Sequence, residues 1–306
     1  MVAVDTRKEL SEFLTTRRAR ISPQQAGLPT YGEHRRVPGL RREEVALLAG
    51  VSVGYLTRLE RGNAAGVSDS VLEALVRVLR LDDAERAHLY ALTRGMTAAA
   101  RTRRRPPRPG VRPGVQQLLD AMTDVPAFVQ NGRLDVPAAN PLARALYAHL
   151  FDGTGPGGRA GRAPNHARYA FLDPRATDFY ADWNRAAADV VSQLRAEVGR
   201  SPDDRVLTEL IGELTTRSQK FATLWATHDV RWHTTGIKRY HHPVVGDLTL
   251  AYEGMALTGD PGQTLITFTA EPGSPSQQAL TFLASWAASP AQPADARDVK
   301  NEDHYF

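Results

Sequence analysis

Residues 41–62 read RREEVALLAGVSVGYLTRLERG, and a pair of short helices joined by a fixed turn follows from that string. Residues 42–49 read as one clear helix and 52–61 as the next. Ala46 is small where two helices must approach closely. Gly50 comes four residues later and supplies the left-handed backbone that ends a helix. Ser52 is placed to accept backbone hydrogen bonds at the start of the next helix. Leu56 and Leu59 then face back toward a core, and Gly62 closes the second helix. This spacing locks the angle of a helix-turn-helix, although an ordinary pair of antiparallel helices also satisfies it.

The charges around the string separate these readings. Arg35, Arg36, Arg41 and Arg42 precede it or open it, and Arg58 and Arg61 lie inside it. Guanidinium groups and helix N-termini are the usual phosphate contacts on DNA. In such a motif the start of the second helix enters the major groove. Ser52, Val53, Gly54, Thr57 and Arg58 are therefore the expected contacts. Arg58 suits guanine, Val53 and Thr57 suit a thymine methyl, and Gly54 contributes only closeness. Charge is also uneven along the chain. Residues 1–105 hold 19 Lys and Arg against 12 Asp and Glu, within 306 residues of net charge +4. A basic half joined to a mildly acidic half suits a polyanion-binding domain attached to a second unit.

Working outward, the grammar from about residue 5 to 96 is helical. Leu10, Phe13 and Leu14 form an apolar stripe. Ser22-Pro23 resembles a helix start. Ser68 or Ser70 is expected to cap a fourth helix, and Asp82 or Asp83 a fifth. These make one five-helix all-α domain. Residues 97–114 are rich in Pro, Gly and Arg and read as a linker. From 115 to 288 the pattern is mixed. Asn131-Gly132 predicts a tight hairpin between two strands. Asn140-Pro141 starts a short helix, 152–168 reads as a loop, and one long helix is expected over about 175–198. Two shorter helices, strands at 232–241, 247–257 and 263–270, and a helix from Ser276 to Trp286 complete an α+β unit. Residues 289–306 form a tail.

The longer string RVPGLRREEVALLAGVSVGYLTRLERG, followed by LEALVRVLRLDDAERAHLYALTR, resembles the MmyB-like subgroup of XRE-type helix-turn-helix regulators of actinobacteria. The resemblance continues through HPVVGDLTLAYEGMAL and AEPGSPSQQALTFL. It implies a DNA-binding transcription regulator. Its C-terminal domain should be PAS-like, an antiparallel sheet with helices on one face, accepting a small apolar, fatty-acid-like molecule. Members usually carry two aromatics where this chain has Gly54 and Tyr55, a departure that bears on the operator sequence and not on DNA binding.

Expected ligand contacts are Phe179, Trp183, Trp225, Arg231, Tyr240 and Tyr252. Arg231 or Lys238 is placed to neutralise a ligand carboxylate, since a buried carboxylate needs a partner. The expected partners are double-stranded DNA with a near-palindromic operator, a small apolar ligand and a second copy of the chain. A competing reading makes the second domain only a dimerisation or protein-interaction module.

Other classes fall away. The chain has no cysteine, which removes disulfides and thiolate metal sites. His241 and His242 alternate across a strand, and His233 lies roughly 26 Å from His241 if the strand is continuous. No metal or cofactor is therefore expected. Gly153, Gly155 and Gly158 match GxGxxG by letter but follow a helix, so no dinucleotide site is read there. Ser274 or Ser276 reads as a helix cap and not a nucleophile. No acid, base and nucleophile converge, so an enzyme is not expected. No apolar run reaches about 18 residues, the length a membrane span needs, and the N-terminus lacks a secretory pattern. A cytoplasmic, nucleoid-associated protein is the expectation.

Overall fold

In the computed structural model, residues 6–28, 39–95, 110–158, 163–227 and 234–288 are described. Arg35, Arg36 and Arg231 lie outside them, as do residues 97–109 of the expected linker and the tail 289–306.

Five helices form the N-terminal unit: α1 (Thr6–Arg20), α2 (Arg42–Ala49), α3 (Val53–Glu60), α4 (Asp69–Val78) and α5 (Asp83–Gly95). Leu10, Phe13, Leu14, Val45, Ala46, Leu56, Leu59, Leu72, Leu75, Leu89 and Leu92 fill its core. Local chemistry sets most boundaries. Ser68 Oγ accepts from Val71 N at the start of α4. Asp82 and Glu85 cap each other's backbone N–H before α5, a reciprocal box that satisfies two free donors. Ser22-Pro23 starts no helix. Ala26 N bonds to Ser22 O and Leu28 N to Pro23 O, which closes a turn after α1.

The second unit contains α6 (Pro113–Ala121), β1 (Ala127–Asn131), β2 (Ala138–Ala139), α7 (Pro141–Leu146), α8 (Ala148–Phe151) and α9 (His166–Leu172). It continues with α10 (Arg175–Phe179), α11 (Trp183–Arg200), α12 (Arg205–Arg217), α13 (Gln219–Trp225), β3 (Thr235–His242), β4 (Gly246–Ala256), β5 (Gln263–Thr269) and α14 (Pro275–Ala288). The five strands form one antiparallel sheet in the order β2-β1-β5-β4-β3. Its inner face carries Phe128, Tyr240, Leu248, Leu250, Tyr252 and Phe268 into a core with α7, α10 and α14. Helix α6 covers part of the opposite face, where Val115 and Leu119 meet Ala127, Val129 and Leu265.

Three local expectations change. The Asn131-Gly132 connection is wider than a two-residue turn. Asn131 Oδ1 accepts from both Arg133 N and Asp135 N, which holds the chain open until Ala138 pairs with Val129. The single helix expected over 175–198 is two helices. Tyr180 leaves helical geometry to bridge Tyr240, Ala181 N donates to Arg239 O, and Asp182 Oδ1 caps a new helix at Arg185 N. Helix α9 begins within the stretch read as a loop, capped by Asn165, whose Oδ1 accepts from Arg168 N. Ser274 Oγ accepts from Gln277 N at the start of α14, whereas Ser276 Oγ accepts from Thr249 N of β4.

Candidate DNA-reading face and ligand site

The turn between α2 and α3 is built as the sequence requires. Gly50 adopts φ 68°, and Val51 N reaches back to Ala46 O at 2.9 Å. Ser52 Oγ then accepts from Tyr55 N at 3.1 Å and fixes the entry of α3. Leu56 and Leu59 are buried, so the opposite face of α3 is turned outward. Ser52, Val53, Gly54, Arg58 and Arg61 are exposed there, and Thr57 is half-exposed. Thr57 Oγ1 donates to Val53 O within the helix at 2.8 Å. Apart from Ser52 Oγ at 4.0 Å, nothing within 4 Å would meet a side chain added at Gly54, so the helix's own packing does not demand glycine. The Arg58 guanidinium lies over the Tyr55 ring, 4.9 Å from its centroid, which orients it along the helix surface.

Glu60, which no motif singled out, holds this surface together. It is buried, with Arg18 Nε 2.6 Å from one carboxylate oxygen and Arg42 Nε 2.5 Å from the other. The hydrogen bond from Arg42 and the attraction to Glu60 raise the Arg42 pKa further. Arg42 is half-exposed, so one edge of its guanidinium is tied down and the rest faces solvent. Arg41 is exposed, and its backbone N–H donates to Glu44 Oε2 at 2.6 Å. Sequence reasoning missed Glu60 because an acidic residue late in a helix looks like a solvated charge.

The second unit divides the expected ligand contacts into separate groups. Phe179 and Tyr240 lie inside an aromatic core. Their ring centroids are 5.0 Å apart, and Tyr147, Tyr169 and Tyr180 surround Phe179. The Tyr147 and Tyr240 hydroxyls bond to each other at 2.7 Å, and burial drives both phenols well above their usual pKa. Trp183 donates from its indole to Ala170 O and packs edge-on against Phe171. Trp225 stacks on Phe221, with its ring centroid 4.1 Å from the Arg195 guanidinium carbon.

Tyr252 belongs to another neighbourhood on the inner sheet face. The Lys238 ammonium lies over the Tyr252 ring at 5.1 Å, and among the described residues it makes no hydrogen bond or ion pair. Burial lowers the Lys238 pKa, and the nearby Asp189 carboxylate partly opposes that shift. His166 stands close by. Burial, assisted by the positive charge of Lys238, lowers its pKa to about 3. Its Nδ1 meets Gln130 Oε1 at 2.9 Å, while the buried Nε2 has no hydrogen-bond partner among the described residues. The Lys238 cation and the His166 imidazole therefore stand within electrostatic reach of each other, with Asp189 and Arg185 also near Lys238. The His166 side of this arrangement was invisible in sequence, where the residue stood inside an apparent loop.

His241 and His242 point to opposite faces. The first pairs with Asp247 and the second is buried against Ala145 O. Among the described residues no three metal-ligating side chains come together, and no helix is long and apolar enough to cross a membrane.

Residues 111–283, more than half of the chain, match the family described as MmyB-like transcription regulator ligand binding domain. The chain belongs to the MmyB-like transcription regulators. In this MmyB-like regulator, residues 9–89 match a helix-turn-helix domain family, which contains the α2–turn–α3 geometry. No curated protein matches the chain. The MmyB-like regulator is thus a DNA-binding transcription regulator with a ligand-binding domain.

Proposed function

We propose that this regulator reads a near-palindromic DNA site as a homodimer and that its second domain senses a small, mainly apolar molecule with an acidic head. In this reading Val53, Gly54, Thr57 and Arg58 approach base edges in the major groove. Arg35, Arg36, Arg41, Arg42, Arg61 and the capped start of α3 at Ser52 contact phosphates. The exposed face of α3 supports the DNA part, because a helix packed only as a structural hairpin has no need of the bare surface at Gly54.

The observation that carries the ligand part is Lys238. An ammonium between sheet and helices that has the Asp189 carboxylate nearby, but no ion pair or hydrogen bond among the described residues, is only partly compensated. A fatty-acid-like molecule supplies both parts of that compensation. Its carboxylate pairs with Lys238, and its chain lies along the apolar surface beside Tyr252 and Phe268. Arg231, which lies outside the described residues, is a second candidate for the acidic head.

Calorimetric titration of the full chain with dodecanoate and with dodecanol tests this. Dodecanoate is expected to bind at least about tenfold more tightly, the equivalent of one modest charge-assisted contact. Lys238→Met should remove the preference and leave the residual affinity of the chain. Equal binding of acid and alcohol to the unaltered protein overturns the acidic head. Binding of neither overturns the apolar ligand and favours the module that only dimerises.

A further inference from the structure

Helix α11 belongs to two cores at once. Val190, Val191, Leu194 and Val198 pack within the ligand-binding domain. Ala196, on another side of the same helix, packs against the apolar core of the DNA-reading domain. Gly199 continues that contact. A side chain added there would stand 2.9 Å from His88 Nδ1 and 3.4 Å from Ala91 Cβ of α5, so the glycine lets α11 pack closely on α5.

Arg195 sits at the centre of this crossing and is fully buried. Its Nη1 lies 2.5 Å from Glu9 Oε2 of α1, and Glu9 is itself buried. Its Nη2 donates to the main-chain carbonyl of Trp225, and its guanidinium is stacked on the Trp225 indole. Trp225 is the last residue of α13 and stacks in turn on Phe221. One guanidinium therefore holds a carboxylate of the reading domain and the end of a ligand-domain helix.

A purely apolar contact tolerates sliding, but a buried ion pair does not. Once desolvated, the two charges are stabilised only in a geometry that keeps both sets of partners. The planar fork of arginine makes that requirement directional.

We propose that Arg195 is the residue through which the ligand-binding domain sets the position of the DNA-reading domain. This rests on the reading of the second domain as a sensor. A shift at the end of α13 alters both the stack and the carbonyl acceptor of Arg195, and Arg195 passes that change to Glu9 on α1. Helix α1 packs against α3, the helix whose outer face approaches DNA, so a change at Glu9 reaches the reading surface within one layer of helices.

Amide hydrogen exchange on the full chain, with no ligand added, tests the linkage. Trp225→Leu is expected to speed exchange of the α1 and α5 amides about tenfold, although the substitution lies in the other domain. In an Arg195→Met background the same substitution should add nothing further at α1. Faster exchange confined to α11–α13, or an undiminished response at α1 in the Arg195→Met background, overturns the proposal.

If Arg195→Met does not fold, Glu9→Gln approaches the linkage from the other side. It weakens the pair at nearly constant volume, and it should speed exchange at the ends of α11 and α13. Unchanged exchange there also overturns the proposal. A separate arm measures affinity for a selected DNA duplex with and without dodecanoate. A protein whose affinity ignores dodecanoate while the exchange linkage holds loses the ligand assignment and not the role of Arg195.

Discussion

The buried Glu60 carboxylate is held by the mostly buried Arg18 and the half-exposed Arg42. Removing the carboxylate leaves the mostly buried Arg18 without its charge partner, so Glu60→Ala is expected to cost about 3–5 kcal/mol in urea unfolding. Arg42→Ala removes a half-exposed partner and should cost no more than about 1 kcal/mol after allowance for solvent screening. The two losses should therefore differ clearly, and equal costs would show that Glu60 is not the anchor. His166 makes a second residue-scale prediction. Its folded pKa, about 3, lies below the ordinary histidine value of 6.5, so the unfolded chain binds the extra proton first. Stability from this group is complete above pH 6.5 and falls as the pH drops toward 3, by about 1.4 kcal/mol per unit. His166→Gln should flatten that part of the stability–pH curve. An unchanged slope would assign the acid sensitivity to other groups.

At the scale of elements, two glycines of the helix-turn-helix share a left-handed backbone but not the same surroundings. Gly50 has φ 68° and open space where a side chain would stand. Gly50→Ala should cost about 1 kcal/mol, the conformational penalty alone. Gly62 has φ 76°, and an added Cβ would run into the backbone of Arg7 on α1. Gly62→Ala should cost about 3 kcal/mol or more, because main chain cannot move aside as a flexible side chain does. Denaturant midpoints of the two variants in one buffer give the comparison, and similar midpoints would contradict the close approach of α1 and α3. Sequence showed that both positions end helices, since Gly at a C-terminus is a local signal. It did not distinguish their surroundings, because Arg7 lies far from Gly62 along the chain. The break between α10 and α11 was hidden for the same reason. The apolar spacing runs across it, and the bridge from Tyr180 to Tyr240, with the bond from Ala181 N to Arg239 O, diverts the backbone.

For the whole molecule, DNA affinity should fall steeply with salt, because phosphate contacts release counterions. Arg42→Ala is expected to weaken binding to all sequences and flatten the salt slope by about one unit. Arg58→Ala should instead cost roughly 1–3 kcal/mol at particular base pairs. Binding measured across salt concentrations on matched and mismatched duplexes separates them, and uniform loss from Arg58→Ala would remove its base-reading role. A homodimer should protect two half-sites about 10–10.5 base pairs apart, or a multiple of that spacing. Footprinting that shows one undivided half-site would leave a monomer. A tenfold response of operator affinity to a ligand requires about 1.4 kcal/mol of preference between two arrangements of the molecule. Burial of a few methylenes reaches that magnitude at about 0.8 kcal/mol each.

The sequence by itself determined the five N-terminal helices, the turn at Gly50, the outward face of α3 and the three C-terminal strands. Each depends on signals within a few residues, such as a capping oxygen, a glycine or an apolar repeat of fixed period. Tertiary structure alone decided which polar groups are buried. Glu60 meets Arg18 from 42 residues away, and Arg195 meets Glu9 across 186. Lys238 and His166 come within electrostatic reach because β3 and α9 bring them together. A charged residue on a helix or strand has the same local pattern whether water or protein lies over it. Its burial depends on partners distant in the chain, and those partners are in place only after the layers have packed.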